Sequence, residues 1–120
     1  MASILLPGLD NDLAEPLSLV LRQLTHEVIV TNSLQASMRE LRARIVFVAG
    51  DGPHYREIVQ KLTAKRHEAA VILVNRFPED KRWLDALELG AADYCGAPFE
   101  TTQIQWLVDG ALHGLRKAAA

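Results

Sequence analysis

Short runs of Val, Ile and Leu alternate along the chain with longer segments in which apolar residues recur every three or four positions. Three of the runs, residues 27–31, 44–49 and 70–75, are dominated by Val and Ile, as is typical of strands that are buried on both faces of a parallel sheet. Five such strands are predicted, at residues 3–6, 27–31, 44–49, 70–75 and 93–95.

The segments between these strands carry the spacing of amphipathic helices, in which one stripe faces the core. The clearest stripe consists of Ile104, Leu107, Val108, Ala111 and Leu115. Four further stripes precede it: Leu17, Val20, Leu21 and Leu24; Leu34, Met38 and Leu41; Tyr55, Ile58, Val59 and Leu62; and Leu84, Leu87 and Ala91.

Five strands that alternate with five helices predict an α/β fold with a parallel sheet and helices on both faces, because the crossover connections are right-handed. The flavodoxin-like (βα)5 strand order 2-1-3-4-5 is the leading topology, although periodicity alone does not separate it from other small α/β folds. The 120 residues suit one domain, and residues 117–120 read as a frayed helix end or the start of a linker.

Composition excludes several classes of protein. The net charge of −2 creates no field that would attract nucleic acid or a membrane surface. A single cysteine, Cys95, excludes an internal disulfide framework and favours a reducing compartment, so we expect a cytoplasmic location. The four histidines are scattered without metal-ligand spacing, so we expect no metal site. The sequence supports neither a Ser/His/Asp nor a Cys/His arrangement, so we expect no enzyme activity.

Residues 75–99, NRFPEDKRWLDALELGAADYCGAPF, resemble the last third of response-regulator receiver domains. That family signature has a hydroxyl residue at the end of the fourth strand, a helix similar to ALELGA, then Asp-Tyr and Lys-Pro-Phe. HEVIVTNS resembles the family's second strand and its exit. The resemblance extends more weakly over the whole chain and implies a single receiver-like domain over residues 1–120.

The resemblance also implies where the chemistry of a receiver would lie. Ala49 matches the phosphoacceptor Asp, Gly8 and Leu9 match the two acidic residues that hold Mg²⁺, Asn75 matches the hydroxyl residue, and Ala97 matches the Lys. Phosphoryl transfer to a carboxylate requires a nucleophilic oxygen, a divalent cation and a positive group on the phosphoryl oxygens. We therefore expect that phosphorylation is lost, that Mg²⁺ binding is lost or weak, and that no cofactor is bound.

Two other features of the family pattern are retained. Tyr94 matches the switch aromatic residue of the fifth strand. Pro98 matches the family's proline, and the resemblance implies a cis peptide bond between Ala97 and Pro98, which is energetically accessible only before proline.

Asp10, Asp12 and Asp51 are the acidic residues near the predicted strand ends. They form either a displaced acidic pocket, with Asp51 as an atypical phosphoacceptor, or a set of turn and helix-cap residues, and the second interpretation is favoured. Arg76 follows Asn75 and either pairs with Asp10 or Asp51 or is simply solvated, which is the more usual state of such an arginine.

An aromatic residue on the outer side of the last helix indicates an interface. Trp106 falls opposite the apolar stripe, beside Gly110 and His113, and Trp83 lies at the margin of the stripe on the preceding helix. Both helices flank the strand that carries Tyr94. The resemblance implies that this face, made by the fourth helix, the fifth strand and the fifth helix, binds a protein partner or a second copy. The alternative is a tryptophan that folds back over its own helix.

These observations lead to one expected function and two alternatives. We expect a phosphorylation-independent pseudo-receiver that acts as a protein interaction or dimerisation module in bacterial signal transduction or transcription regulation. A fused output domain is expected as a partner, and direct binding of nucleic acid or membrane is not. The alternatives are an atypical phosphoacceptor receiver that uses Asp51 and a flavodoxin-like domain that binds a small ligand at the strand ends.

Overall fold

The computed structural model describes residues 3–31, 43–50, 55–63, 69–76, 84–85 and 87–119. Within these ranges the chain alternates between strands and helices, as the hydrophobic pattern predicts. The elements are β1 (Ser3–Pro7), α1 (Asn11–Gln23), β2 (Glu27–Thr31), β3 (Ile45–Ala49), α2 (Tyr55–Thr63), β4 (Ala70–Asn75), β5 (Asp93–Gly96) and α3 (Thr101–Ala119).

The five strands form one parallel sheet in the order β2-β1-β3-β4-β5. β1 pairs with β2 from Ser3 opposite Glu27, and β3 pairs with β4 from Ile45 opposite Ala70. β5 is an edge strand that pairs with β4, with Asn75 opposite Gly96 at the carboxyl end. This order confirms the predicted flavodoxin-like topology.

The two faces of the sheet have separate cores. On one face, α1 and α3 pack on alternate strand residues such as Ile4, Ile45 and Phe47. On the other face, Val59 of α2 packs with the intervening residues, among them Val46. Every residue of β4 is buried. A sheet covered on both faces needs apolar side chains in both directions, which explains the continuous apolar runs in the sequence.

The predicted strand boundaries agree with the structure to within one residue. The clearest predicted helical stripe is confirmed where side chains are described: Ile104, Leu107, Val108 and Ala111 are all buried. The stripe that begins at Leu34 lies outside the described residues.

One predicted stripe is wrong in part. Ala91 is buried as expected, but the side chains of Leu84 and Leu87 are 51% and 38% exposed. Leu89, which was not assigned to the stripe, packs together with Ala91 against the core on the α2 face. Gly90 adopts a φ of 109°, so the backbone leaves helical geometry there. The spacing between Leu87 and Ala91 therefore does not place both residues on one helical face.

Candidate functional site

The carboxyl ends of the parallel strands bring the predicted site positions to one edge of the sheet. Gly8 follows β1, Ala49 ends β3, Asn75 ends β4 and Ala97 follows β5. The chain leaves β1 through Gly8, whose φ of 68° is in the left-handed region that favours glycine. Its N–H donates to the carbonyl of Thr31 at 2.8 Å, which ties this exit to the end of β2.

Three positions at which the receiver resemblance implies charged side chains carry apolar residues in this chain. Leu9 is 7% exposed and belongs to the core beneath α1 and α3. Ala49 is half-buried and packs against the same core. Ala97, at the lysine position, is an exposed methyl group. None of these three side chains can ligate a cation, accept a phosphoryl group or carry a positive charge.

Asn75 lies at the centre of this edge with its amide group sealed from solvent. The residue is 1% exposed, and neither Nδ2 nor Oδ1 has a hydrogen-bond partner in the described structure. A Cβ atom built on Gly50 would overlap Oδ1 of Asn75. In this rotamer the amide occupies the space beside the end of β3 that a side chain at position 50 would need, so a larger residue there would have to displace the Asn75 side chain.

Arg76 forms two ion pairs across the same edge. Its Nη2 donates to Oδ1 of Asp12 at 2.8 Å and to Oδ2 of Asp10 at 3.3 Å. Because β3 lies between β1 and β4 in the sheet, these ion pairs connect the segments that follow two strands which are not neighbours. We call this group of three residues the Arg76 clasp.

The clasp corresponds to the less favoured of the two sequence interpretations of Arg76, because its side chain is paired rather than simply solvated. Pairing of Arg76 with Asp10 was one of the two predicted alternatives, whereas Asp12 had not been assigned as a partner. Asp10 occupies the N-cap position of α1, and its carbonyl accepts the N–H groups of Leu13 and Ala14. Its carboxylate makes no capping hydrogen bond and instead binds Arg76. Asp51 lies outside the described residues.

β5 carries side chains with different environments on its two faces. Tyr94 is half-buried and packs against the α2-side core. Cys95 points to the opposite core and is 2% exposed. Burial raises the pKa of the Cys95 thiol to about 12, with a smaller contribution from the carboxylate of Asp93. The Ala97–Pro98 peptide bond at the end of this strand is cis.

The outer side of α3 presents the predicted aromatic residue to solvent. The side chain of Trp106 is 73% exposed, and Gly110 and His113 on the same side are also exposed. Within the described part of the chain, a Cβ atom built on Gly110 or on Gly114 would meet no atom within 4 Å beyond the nearby residues of its own helix. Trp83, the other tryptophan assigned to an interface, lies outside the described residues.

Two kinds of feature are not found among the described residues. No group of three or more His, Cys, Asp or Glu side chains there is placed to hold a metal ion. Neither does that part of the chain contain a helix with the length and apolar character needed to cross a membrane.

Solved structures similar to this chain include receiver domains, whereas no protein-family model and no curated protein matches it. The receiver domain of a modulated diguanylate cyclase from Desulfovibrio desulfuricans G20 matches with a TM-score of 0.78 at 19% identity, over 97% of each chain. A response regulator receiver domain protein from Clostridium thermocellum has a TM-score of 0.81 at 16% identity, over 97% of this chain and 98% of its own.

Two further matches extend the comparison. The BeF3-activated DrrB receiver domain has a TM-score of 0.75 at 25% identity, over 94% of this chain and 98% of its own. NtrX from Brucella abortus has a TM-score of 0.84 at 19% identity, over 96% of this chain but only 27% of NtrX. The strand order and these matches together show that the chain has the fold of response-regulator receiver domains over nearly its whole length.

Proposed function

We propose that this chain is a receiver domain of bacterial signal transduction that has lost phosphorylation and acts as a protein interaction module. The observation that carries the proposal is the Arg76 clasp. In it, the Arg76 guanidinium forms ion pairs with the carboxylates of Asp10 and Asp12 near the carboxyl edge of the sheet. The proposed module binds its protein partner through exposed surface that includes α3.

The missing side chains support the loss of phosphoryl transfer. The reaction needs a nucleophilic carboxylate, a divalent cation and a positive group, because charge develops on the transferred oxygens. The matching positions carry the apolar residues Leu9, Ala49 and Ala97. Leu9 and Ala49 pack against the core. A change of loop conformation alone would therefore not provide the carboxylates that bind the cation and accept the phosphoryl group.

The clasp supports loss of Mg²⁺ binding. A cation held by Asp10 and Asp12 would have to displace the Arg76 guanidinium and would remain close to its positive charge. Mg²⁺ also requires nearly ideal octahedral oxygen coordination, and the neighbouring Leu9 offers no side-chain oxygen. We propose that Mg²⁺ binding is absent or weak and that the domain uses no cofactor.

Without a phosphoryl switch, regulation would come from a partner that binds one conformation of the domain more tightly than another. NtrX and the diguanylate cyclase are examples of proteins that contain a receiver-like unit, and NtrX is much longer than the matched part. We propose that this domain likewise works with an output domain, fused or docked. Its net charge of −2 supports a protein partner over direct contact with nucleic acid, and the thiol of Cys95 fits a cytoplasmic location.

The proposal is tested by amide NMR of the ¹⁵N-labelled chain, titrated with millimolar Mg²⁺ and then with beryllofluoride, a mimic of a bound phosphoryl group. We expect no shifts at Asp10, Asn75 or Ala97 and none at Tyr94. The matched variant Arg76→Gln, which releases the two carboxylates, should respond to Mg²⁺ more than the native chain and still fail to respond to beryllofluoride.

An active receiver domain treated in parallel shows that the reagent works. Saturable beryllofluoride shifts centred on the strand ends and spreading to Tyr94 would contradict the proposal. In that case, labelling with acetyl phosphate and its loss in Asp51→Asn would identify an atypical phosphoacceptor.

A further inference from the structure

We propose that the carboxyl edge of the sheet binds a small, neutral, planar heterocycle that carries a hydrogen-bond donor next to an acceptor, as a nucleobase does. The ligand pairs with the amide of Asn75 in a row formed by Gly50, Asn75 and Gly96, which we call the Asn75 notch. The inference goes beyond the proposed function, because this ligand binds reversibly and independently of any protein partner.

The three residues of the Asn75 notch lie next to one another on the same face of the sheet. Asn75 pairs with Gly96 in the register of β4 and β5, and the N–H of Gly50 donates to the carbonyl of Val74 at 3.0 Å. Side chains alternate between the two faces along a strand. Asn75 comes two residues after Leu73, which packs in the core on the α2 face, so the notch lies on that face.

The notch is separate from the place where phosphoryl chemistry is implied by the receiver resemblance. Ala49, at the phosphoacceptor position, packs against the core on the opposite face, beneath α1 and α3. Arg76 also pairs with Asp10 and Asp12 at the start of α1. The side chain of Asn75 leans instead towards position 50 on the α2 face.

The amide of Asn75 provides the groups that bind the ligand. Its Nδ2 and Oδ1 are sealed from solvent, and neither has a hydrogen-bond partner among the described residues. Because buried polar groups in folded proteins are nearly always paired, an unpaired amide at 1% exposure is an exception. One donor and one acceptor on the same planar group match an edge with an acceptor beside a donor, as asparagine matches adenine. A neutral ligand is favoured, since burial of a charge is costly.

A ligand can reach the amide over the end of β5. This strand lies at the edge of the sheet, its last residue, Gly96, is half-buried, and Ala97 beyond it is exposed. Rotation about the Cα–Cβ bond of Asn75 turns the amide from the β3 side towards the β5 side. That rotation breaks no side-chain hydrogen bond of Asn75 that the structure describes.

The two glycines keep the notch free of other side chains. Among the described glycines, Gly8 and Gly90 have a left-handed φ, so backbone geometry does not demand glycine at position 50 or 96. Glycine weakens a strand, and it often marks a site where a ligand or another backbone approaches closely. A Cβ atom on Gly50 would overlap Oδ1 of Asn75. Gly50 therefore leaves room for the amide, and Gly96 leaves room for the ligand.

The layer beneath the notch is apolar and aromatic. Val48, Leu73 and Tyr94 come two residues before the three notch positions and pack in the core on the α2 face. Tyr94 is half-buried on the β5 side, where the ligand enters. An apolar floor with one polar group that fixes orientation is typical of small-molecule sites, and an aromatic ring suits a planar ligand.

The test is NMR of the ¹⁵N-labelled full chain, titrated separately with adenine, uracil and nicotinamide to several millimolar. At least one probe should give saturable shifts at Tyr94 and Gly96, with a downfield shift of one side-chain NH₂ proton of Asn75. Because such probes are small, we expect a dissociation constant on the order of 1 mM.

Two variants and a control test the assignment. Asn75→Val removes both hydrogen bonds to the ligand and should raise the dissociation constant at least about tenfold. Gly96→Val places a side chain that suits a strand in the path of the ligand and should have a similar effect. The matched control Gln103→Leu removes an exposed amide from α3 and should leave the dissociation constant unchanged.

The thermal melting curve of each variant shows that it is folded, so a loss of binding is not mistaken for unfolding. Absence of saturable shifts with all three probes would overturn the inference, and so would binding that Asn75→Val leaves intact. Both outcomes are independent of the beryllofluoride response, which tests the proposed function alone.

Discussion

The buried amide of Asn75 is expected to destabilise the folded protein, so Asn75→Val should raise the free energy of unfolding. Leaving a buried polar group without a hydrogen bond costs about 1–3 kcal/mol. At 1% exposure, both amide atoms of Asn75 lack a partner among the residues that the structure describes. Valine also suits a fully buried strand. It has one heavy atom fewer than asparagine, so a small void offsets part of the gain. The expected net increase is about 1–2 kcal/mol.

Urea unfolding at 25 °C measures this change directly. A chain of 120 residues has an unfolding entropy of about 0.25 kcal/mol/K, so the melting temperature should rise by roughly 4–8 °C. The urea m-value should stay the same, because the surface exposed on unfolding hardly changes.

Asn75→Asp is the matched control, since it has the same shape and introduces a buried carboxylate. We expect it to lower the free energy of unfolding at neutral pH, by about 3 kcal/mol or more if the carboxylate stays ionised. The loss should shrink at acidic pH as the carboxyl group is protonated. If Asn75→Val instead lowers the stability by more than about 1 kcal/mol, the amide is hydrogen-bonded in solution and the reasoning fails.

Two further predictions concern the clasp and the buried thiol. Arg76→Gln should lower the free energy of unfolding by no more than about 1 kcal/mol, with the loss disappearing at high salt, because the three side chains are 38–76% exposed. A salt-independent loss above about 2 kcal/mol in urea unfolding would instead make the clasp a structural requirement. In the folded protein at pH 8, Cys95 should react slowly with a thiol reagent, and in denaturant it should react rapidly. Rapid labelling of the folded protein would contradict the burial of this thiol. Its pKa rises from 9.0 to about 12 on folding, so the thiol's stabilising contribution is complete below pH 9 and falls as the pH rises towards 12.

Local patterns in the sequence were sufficient to predict the positions of the strands and the side of α3 that is exposed to solvent. Continuous apolar runs identify strands that are buried on both sides, and β4, buried along its whole length, is the clearest example. The three- and four-residue spacing around Val108 likewise places Trp106 opposite the core, because helical geometry alone determines which residues share a side. Residues 75–99 also indicate the receiver fold, since their motif spans consecutive elements of it.

Contacts between distant segments were decided by the tertiary structure. Arg76 meets Asp10 and Asp12 because the strand order places the ends of β1 and β4 on either side of the small residues that end β3. The overlap between Asn75 and any side chain at position 50 depends on the pairing of β3 with β4 and on one rotamer. Periodicity reports the average burial of a face; it carries no information about which of several carboxylates an arginine will reach, or about whether a buried amide finds a partner.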